Sequence, residues 1–466
     1  MPPGNPPTTS RGEVLRLAAP MVFANAAEPL AGVVDTAIIG RVGDGTMLAS
    51  VAFGVTLTQL VTHNFYFLRM SATGLTARAA GAEDRAETQR VLLRGGALAL
   101  TLGLLALLMS GVVEAIAVAL FEAEPAVEAA GARYYFIRAL GFPASFLSYV
   151  ASGWLIALGQ TRWALLQQLG FSLGNIALDL VFVAGLGWGV EGAAIATTGA
   201  RHLGVGLAAF AIVRVVRGEG GWAAERSLRG ALELLRPGAI RPLLSMSVDF
   251  MIRTWAMQAG FAWFTNAAAR ISTVALGASH VLLQLVSLCS FVLDAFAFVA
   301  ESLVGRAVGS GSKPRFWSAI RKTSELALVF GAILAATIYW GGPRALEWTV
   351  KDEGVRATAL ALLPLCALVP LLGAPAWQLD GIFVGATRSA AMRNASVASA
   401  LAYVAIDLSL GRSLGLHGIW IAFIAFYLFR AASLSVAFPR LVRDAFPETG
   451  KNDALPCSAS NGRSEP

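Results

Sequence analysis

Two carboxylates, Glu28 and Asp35, stand seven residues apart in EPLAGVVDTAIIG, inside an apolar run from Val14 to Ile39 that is long enough to cross a bilayer. At about 100° per residue, seven steps return to nearly the same helix face, so one side of this segment is acidic. An ionised acid at the centre of a membrane helix costs roughly 2.5 to 3.5 kcal/mol on insertion scales, which confines such residues to polar interiors or makes them titrate. A second set lies in FSLGNIALDLVFVAGLG, where Asn175 and Asp179 are four apart and share a face. Asp179 lies about seven residues before the loop GLGWGVEG, or about 10 Å below the surface. Thr197, in EGAAIATTG, lies about six residues back down the next span, at matching depth. Asp35 precedes the loop RVGDG and belongs to the same half of the membrane. Oxygen-bearing side chains from three helices therefore share one level, with Glu28 two turns deeper. Such oxygens suit a hard cation, and two neighbouring carboxylates can hold a proton between them. The set could bind sodium, share a proton, or alternate. The competing reading is that Asn175 and Asp179 form an interhelical hydrogen bond that only fixes packing.

The elements that must position these residues are membrane helices. The chain has 466 residues, of which 56% are hydrophobic and only 14% charged; soluble domains carry about 25% charged residues. Apolar segments recur from end to end, separated by short loops that hold most of the Arg and Lys, which describes an all-α polytopic membrane protein. Twelve spans are predicted: 14 to 39, 47 to 72, 93 to 120, 126 to 157, 164 to 186, 191 to 215, 239 to 267, 275 to 300, 318 to 341, 354 to 384, 393 to 411 and 416 to 439. Pro20, Pro29, Pro143, Pro364, Pro370 and Pro375 fall within them and permit kinks. The organisation follows: an amino-terminal tail 1–13, a first lobe 14–216, a linker 217–238, a second lobe 239–440, and a polar tail 441–466 read as disordered. Neither a signal-peptide pattern nor a disulfide or metal spacing among Cys289, Cys366 and Cys457 is present.

The halves repeat. GLTARAAGA at Gly74 to Ala82 matches SLVGRAVGS at Ser302 to Ser310, aligning Arg78 with Arg306 and Gly81 with Gly309. GQTR at Gly159 matches GATR at Gly385, and GVEGAAIA at Gly189 matches GLHGIWIA at Gly415. Three matches in order at nearly one offset imply parallel six-helix repeats about an axis along the membrane normal. The acidic cluster is not repeated, because the positions of Asn175, Asp179 and Thr197 become Leu401, Ala405 and Phe423. Placing 25 of the 36 Lys and Arg on the side of the amino terminus puts both termini in the cytoplasm. On that assignment Arg138 is external, and Arg69, Arg201 and Arg253 are the arginines within spans.

The second half carries its own acids. Asp294 and Asp380 lie well inside apolar runs; each could attract a cationic substrate in a central cavity, or pair with Arg253 or another buried donor. Glu301 and Asp407 fall nearer span ends, where solvated carboxylates are ordinary. Arg69 needs a carboxylate, carbonyls or a route to the interface. His63 and His280 read as hydrogen-bonding packers, and Trp188, Trp340 and Trp348 as interfacial anchors. There is no HExxH, no Asp-rich pyrophosphate motif, no G-x-S-x-G and no phosphate loop, which argues against an enzyme and against ATP as the energy source. The net charge of +7 follows from loop topology and gives no sign of nucleic-acid binding.

EPLAGVVDTAIIGRVG, NFYFLRMSATGLTARAAGA, FSLGNIALDLVFVAGLGWGVEGAAIAT, ESLVGRAVG and LDGIFVGATRSAAMRN, in that order, resemble the multidrug and toxic compound extrusion (MATE) family, specifically its DNA-damage-inducible protein F (DinF) branch. The resemblance covers about residues 11 to 440. It implies two six-helix lobes in a V-shaped molecule around a central cleft, and antiport in which a proton or sodium ion enters while an organic, often cationic, compound leaves. It also implies ion binding at Asp35, Asn175, Asp179 and Thr197, with Tyr134 lining the site. Glu28 is added from its helix phase alone. The expected protein is a monomeric exporter of the bacterial inner membrane, in contact with lipid, needing no cofactor beyond H+ or Na+. A lipid or polyprenyl-linked glycan flippase and a membrane-embedded transferase are the alternatives.

Overall fold

The computed structural model describes residues 9–120, 124–223 and 236–447. The central part of the predicted linker, most of the carboxyl-terminal tail with Cys457, and residues 1–8 lie outside the described residues.

Helices account for nearly all of the described chain because a backbone in hydrocarbon must satisfy its own polar groups. The first lobe contains α1 (Arg11–Val42), α2 (Gly45–Asn64), α3 (Phe67–Gly81), α4 (Arg85–Leu108), α5 (Ser110–Leu120), α6 (Pro125–Ala139), α7 (Phe142–Ala157), α8 (Thr161–Asp179) and α9 (Gly189–Gly218). The second contains α10 (Pro237–Ile271), α11 (Thr273–Gly309), α12 (Lys313–Thr349), α13 (Glu353–Gly385) and α14 (Ser389–Ala445), the last broken at Gly415, whose φ is 57°. Short polar turns start several of them: Ser10, Asp44, Asp84, Ser272 and Asp352 each accept a backbone N–H from three residues ahead, satisfying a donor that the helix itself cannot.

Counted as passages, α2 with α3, α4 with α5, α6 with α7, and the two limbs of α14 give the twelve spans expected. Ten passages among the described residues are long and apolar enough to cross a membrane, and α6 with α7, bent by 49°, makes an eleventh. The twelfth, α10, has ample length at 35 residues, but Arg241, Asp249, Arg253 and Arg270 dilute its apolar character.

The lobes meet at one end and part at the other. At the proximal end, which bears Arg11, Gly81 and Gly309, one apolar core runs through both lobes and includes Leu17, Phe67, Phe146, Phe296, Val304 and Phe383. At the distal end the cores are separate. Ile39, Val51, Tyr134 and Val183 pack within the first lobe, while Phe264, Leu282, Tyr403 and Trp420 pack within the second. The result is a V whose cleft opens distally.

The internal repeat explains the seal. Gly81 faces the carbonyl of Arg306 so closely that a Cβ would lie 2.1 Å from its oxygen, and Gly309 faces the carbonyl of Arg78 with a corresponding 2.0 Å. These are the residues that the two copies of the motif align, now facing each other reciprocally across the pseudo-twofold axis. Glycine is required at both because the opposing atom is backbone, which cannot swing aside.

Candidate functional site

Four elements converge on the distal part of the first lobe. α1 brings Asp35, α6 brings Tyr134, α8 brings Asn175 and Asp179, and α9 brings Thr197. The end of α8 is shaped for the purpose: immediately after Asp179 the chain makes a π-helical turn, Leu180–Gly185, an irregularity that frequently marks functional sites.

The Asn175 amide organises the cluster. Its Nδ2 donates to Asp179 Oδ2 at 2.9 Å and to Thr197 Oγ1 at 3.3 Å, joining α8 to α9. Thr197 Oγ1 donates its own proton to the Ala193 carbonyl at 2.9 Å, leaving its lone pairs for the amide. Asp35 lies close enough to Asp179 for the two carboxyl groups to interact electrostatically, and Tyr134 lies beside Thr197. Asp179 is 1% exposed, whereas Asp35 is half-buried and forms the accessible edge. One oxygen of each carboxyl group, Oδ1 in both cases, is buried without a hydrogen-bond partner among the described residues. Two orphaned acceptors from facing carboxylates can take up a shared proton or contribute to the shell of a small monovalent cation.

Glu28 does not join these ligands. Its Oε1 is ion-paired with Arg201 and its Oε2 accepts from Gln168 Nε2 at 3.2 Å. Arg201 is in turn stacked on Phe171, 3.6 Å from the ring centroid. The shared helix face expected from the seven-residue spacing is real, but the carboxylate two turns deeper is already neutralised by α9. Arg138, read as external, instead sits at the inner face of α6 within electrostatic range of Asp35, Glu28 and Arg201. The missed signal was the apolar sequence on both sides of it, in YYFIRALGF.

A second charged group occupies the junction of the lobes. Arg69 on α3 binds Glu301 on α11 through two parallel bonds of 2.9 and 3.1 Å. Both side chains are almost fully buried. Glu301 is therefore not a solvated residue near a span end, because α3 of the opposite lobe covers it. Asp380 on α13 pairs with Arg253 on α10 and, at 2.9 Å, with Arg430 on α14. Of the two readings offered for Asp380, pairing with Arg253 is the one found, and not a free cation attractor: two guanidinium groups already share its Oδ2. Arg430, which was not counted among the arginines within spans, is 1% exposed, and the apolar residues following it in FYLFRAASLSVAF could have shown this. Asp294, on the same α11 face as Glu301 and two turns away, has neither ion pair nor hydrogen bond among the described residues. It lies within electrostatic range of Arg69, Arg253 and Asp380. Asp407, also expected near solvent, is 6% exposed.

Among the described residues no group of three or more His, Cys, Asp and Glu is disposed to hold a metal ion. The convergent features are thus one mixed-oxygen cluster in one lobe and a cleft between lobes. The family profile MatE matches residues 20–181 and 251–408, one stretch in each lobe. The chain belongs to the MATE family.

Among relatives of this MATE chain, DNA damage-inducible protein F of Escherichia coli is 32% identical over 440 residues, covering 93% of both chains. A probable multidrug resistance protein NorM of Thermotoga maritima is 23% identical over 432 residues, covering 90% of each. Solved structures agree in fold. A MATE transporter of the MOP superfamily in an outward-facing conformation superimposes with a TM-score of 0.82 at 18% identity, covering 95% of this chain and 100% of that one. A MOP-superfamily transporter from Pyrococcus furiosus, described as having a binding pocket of reversed polarity, gives 0.82 at 18% identity, covering 94% and 99%. With ten spans among its described residues long and apolar enough to cross a membrane, this chain is an integral membrane protein of that family.

Proposed function

We propose that this protein is a secondary exporter in which a proton or sodium ion, entering through the distal cleft, is exchanged for an organic cationic or amphipathic compound. The observation that carries the reading is the Asp35–Asp179 pair, held by Asn175 and Thr197 with one unpartnered oxygen on each carboxyl group. An arriving cation satisfies both oxygens and removes the repulsion between the two acids. The ion then favours whichever arrangement of α1, α8 and α9 closes around it. Coupling requires that ion and substrate prefer different states. A charge crossing the whole membrane potential supplies about 2.3 kcal/mol per 100 mV.

In this reading the termini and the sealed proximal end are cytoplasmic, so the cleft opens outward in a bacterial inner membrane. The protein functions as a monomer surrounded by lipid, catalyses no covalent reaction and uses no ATP. Tyr134 lines the ion site. Asp294 meets the positive charge of the substrate, and Asp380 holds α10, α13 and α14 together through its two arginines.

The flippase alternative draws on the five arginines within spans, Arg69, Arg138, Arg201, Arg253 and Arg430. Four of them are engaged by Glu301, Glu28 and Asp380, which leaves little positive charge for a lipid phosphate and favours the exporter. The test is efflux of a cationic dye from one proteoliposome preparation under an imposed pH gradient, a sodium gradient, or neither. Efflux driven by one of the two gradients supports the exporter. Gradient-independent movement of a lipid-linked substrate, without dye efflux, replaces it with the flippase.

A further inference from the structure

Away from both charged groups, a cavity of about 180 Å3 lies at the distal end of the second lobe, between α10 and the two limbs of α14. Trp263, Asn266 and Arg270 line it from α10, and Asp407, Gly411 and Ile419 from α14. Asp407 Oδ2 accepts the Trp263 indole N–H at 2.8 Å. Its Oδ1 is buried and has no partner among the described residues. A Cβ on residue 411 would lie 2.8 Å from that same oxygen, so glycine keeps it clear. Arg270 is exposed at the rim. Its Nε donates to Asn266 Oδ1 at 3.0 Å, and its guanidinium lies 5.9 Å from the Trp263 ring centroid, with no carboxylate paired to it among the described residues. One indole therefore separates a buried carboxylate with one oxygen still lacking a donor from a guanidinium lacking an anion.

We propose that this cavity binds a compact zwitterion bearing a primary ammonium and a phosphate, with the ammonium on Asp407 and the phosphate on Arg270. The carboxylate requires a donor small enough to reach a recessed oxygen. A primary ammonium offers three N–H groups, and a quaternary ammonium offers none. The planar guanidinium at the rim matches phosphate oxygens through paired N–H bonds. Position favours a lipid headgroup: α10 ends one residue after Arg270, which sets the rim at the membrane interface, and Ile271 and Leu408 add apolar lining where acyl chains begin. A water-soluble aminoalkyl phosphate carries the same pair of charges. The site is independent of the ion cluster and of the cleft.

The experiment is native mass spectrometry of the full chain equilibrated separately with phosphatidylethanolamine, phosphatidylcholine and phosphoethanolamine. One retained phosphatidylethanolamine, favoured at least tenfold over phosphatidylcholine and lost in Asp407→Asn, Arg270→Gln and Gly411→Val, supports the proposal. Gly411→Val fills the cavity without changing either charge, and Arg270 is exposed, so these two variants decide the matter where Asp407→Asn does not fold. Retention of phosphoethanolamine alone, with the same dependence on the variants, supports the charge assignment and makes the ligand a soluble zwitterion. Equal retention of phosphatidylcholine, retention unchanged in the variants, or no retention of any of the three overturns it.

Discussion

Replacing Glu301 with glutamine should release the seal between the lobes. Arg69 would keep its place against Phe298, 3.9 Å from the ring centroid, but it would lose the only carboxylate bonded to it among the described residues. Removing one partner of a buried ion pair costs about 3–5 kcal/mol, because the remaining charge is left without compensation. The partners belong to opposite lobes, so this cost falls on the arrangement in which the lobes meet proximally, and an arrangement that opens this end to water escapes it. Taking about 3 kcal/mol, the ratio of the two arrangements should move by about 150-fold toward proximal opening. Spin labels at Arg85 and Lys313, which begin α4 and α12 at the proximal end of opposite lobes, report the change as a longer inter-label distance by double electron–electron resonance. Arg69→Met combined with Glu301→Met removes both charges and should restore most of the original distribution, since paired apolar replacement is close to neutral. A folded Glu301→Gln protein with an unchanged distribution, or a double variant as perturbed as the single one, would refute the reasoning.

Gly309→Ala should act in the same direction, since its Cβ would stand 2.0 Å from the Arg78 carbonyl oxygen; the same label pair should show the proximal ends separating. Asn175→Ala removes the donor to Asp179 Oδ2, and loss of a hydrogen bond to a charged group, about 1.5–3 kcal/mol, should weaken half-saturation by the driving ion roughly 10- to 150-fold in transport assays. Asp294→Asn should reduce affinity for a cationic dye, measured by equilibrium binding, while leaving binding of an uncharged analogue unaltered. Asp380→Asn, by contrast, should lower thermal stability, because Arg253 and Arg430 would face each other with no carboxylate between them.

Much of this architecture was legible in the sequence because membrane helices announce themselves through long apolar runs and helical phase. Asn175, Asp179 and Thr197 could be placed together because depth below a short hairpin fixes the relative height of residues on α8 and α9. The aligned Arg78 and Arg306 likewise foretold a repeat, although not that each would sit opposite the glycine of the other copy. What the sequence concealed were contacts between helices remote along the chain. Glu301 looks like a residue near a span end until α3 covers it, and Asp380, for which Arg253 was a foreseeable partner, takes a second arginine from α14 that the sequence did not announce. Glu28 shows the limit of phase arguments, since sharing a face with Asp35 says nothing of an arginine arriving from α9. The π turn after Asp179 had no pattern by which to recognise it.

The most direct test of the account concerns Asp35. In proteoliposomes, Asp35→Asn should abolish efflux of a cationic dye driven by an imposed pH or sodium gradient, while exchange of labelled for unlabelled dye at equilibrium, which needs no coupling, continues. Gradient-driven efflux that survives the substitution unchanged would contradict the claim that the Asp35–Asp179 pair couples the ion to transport.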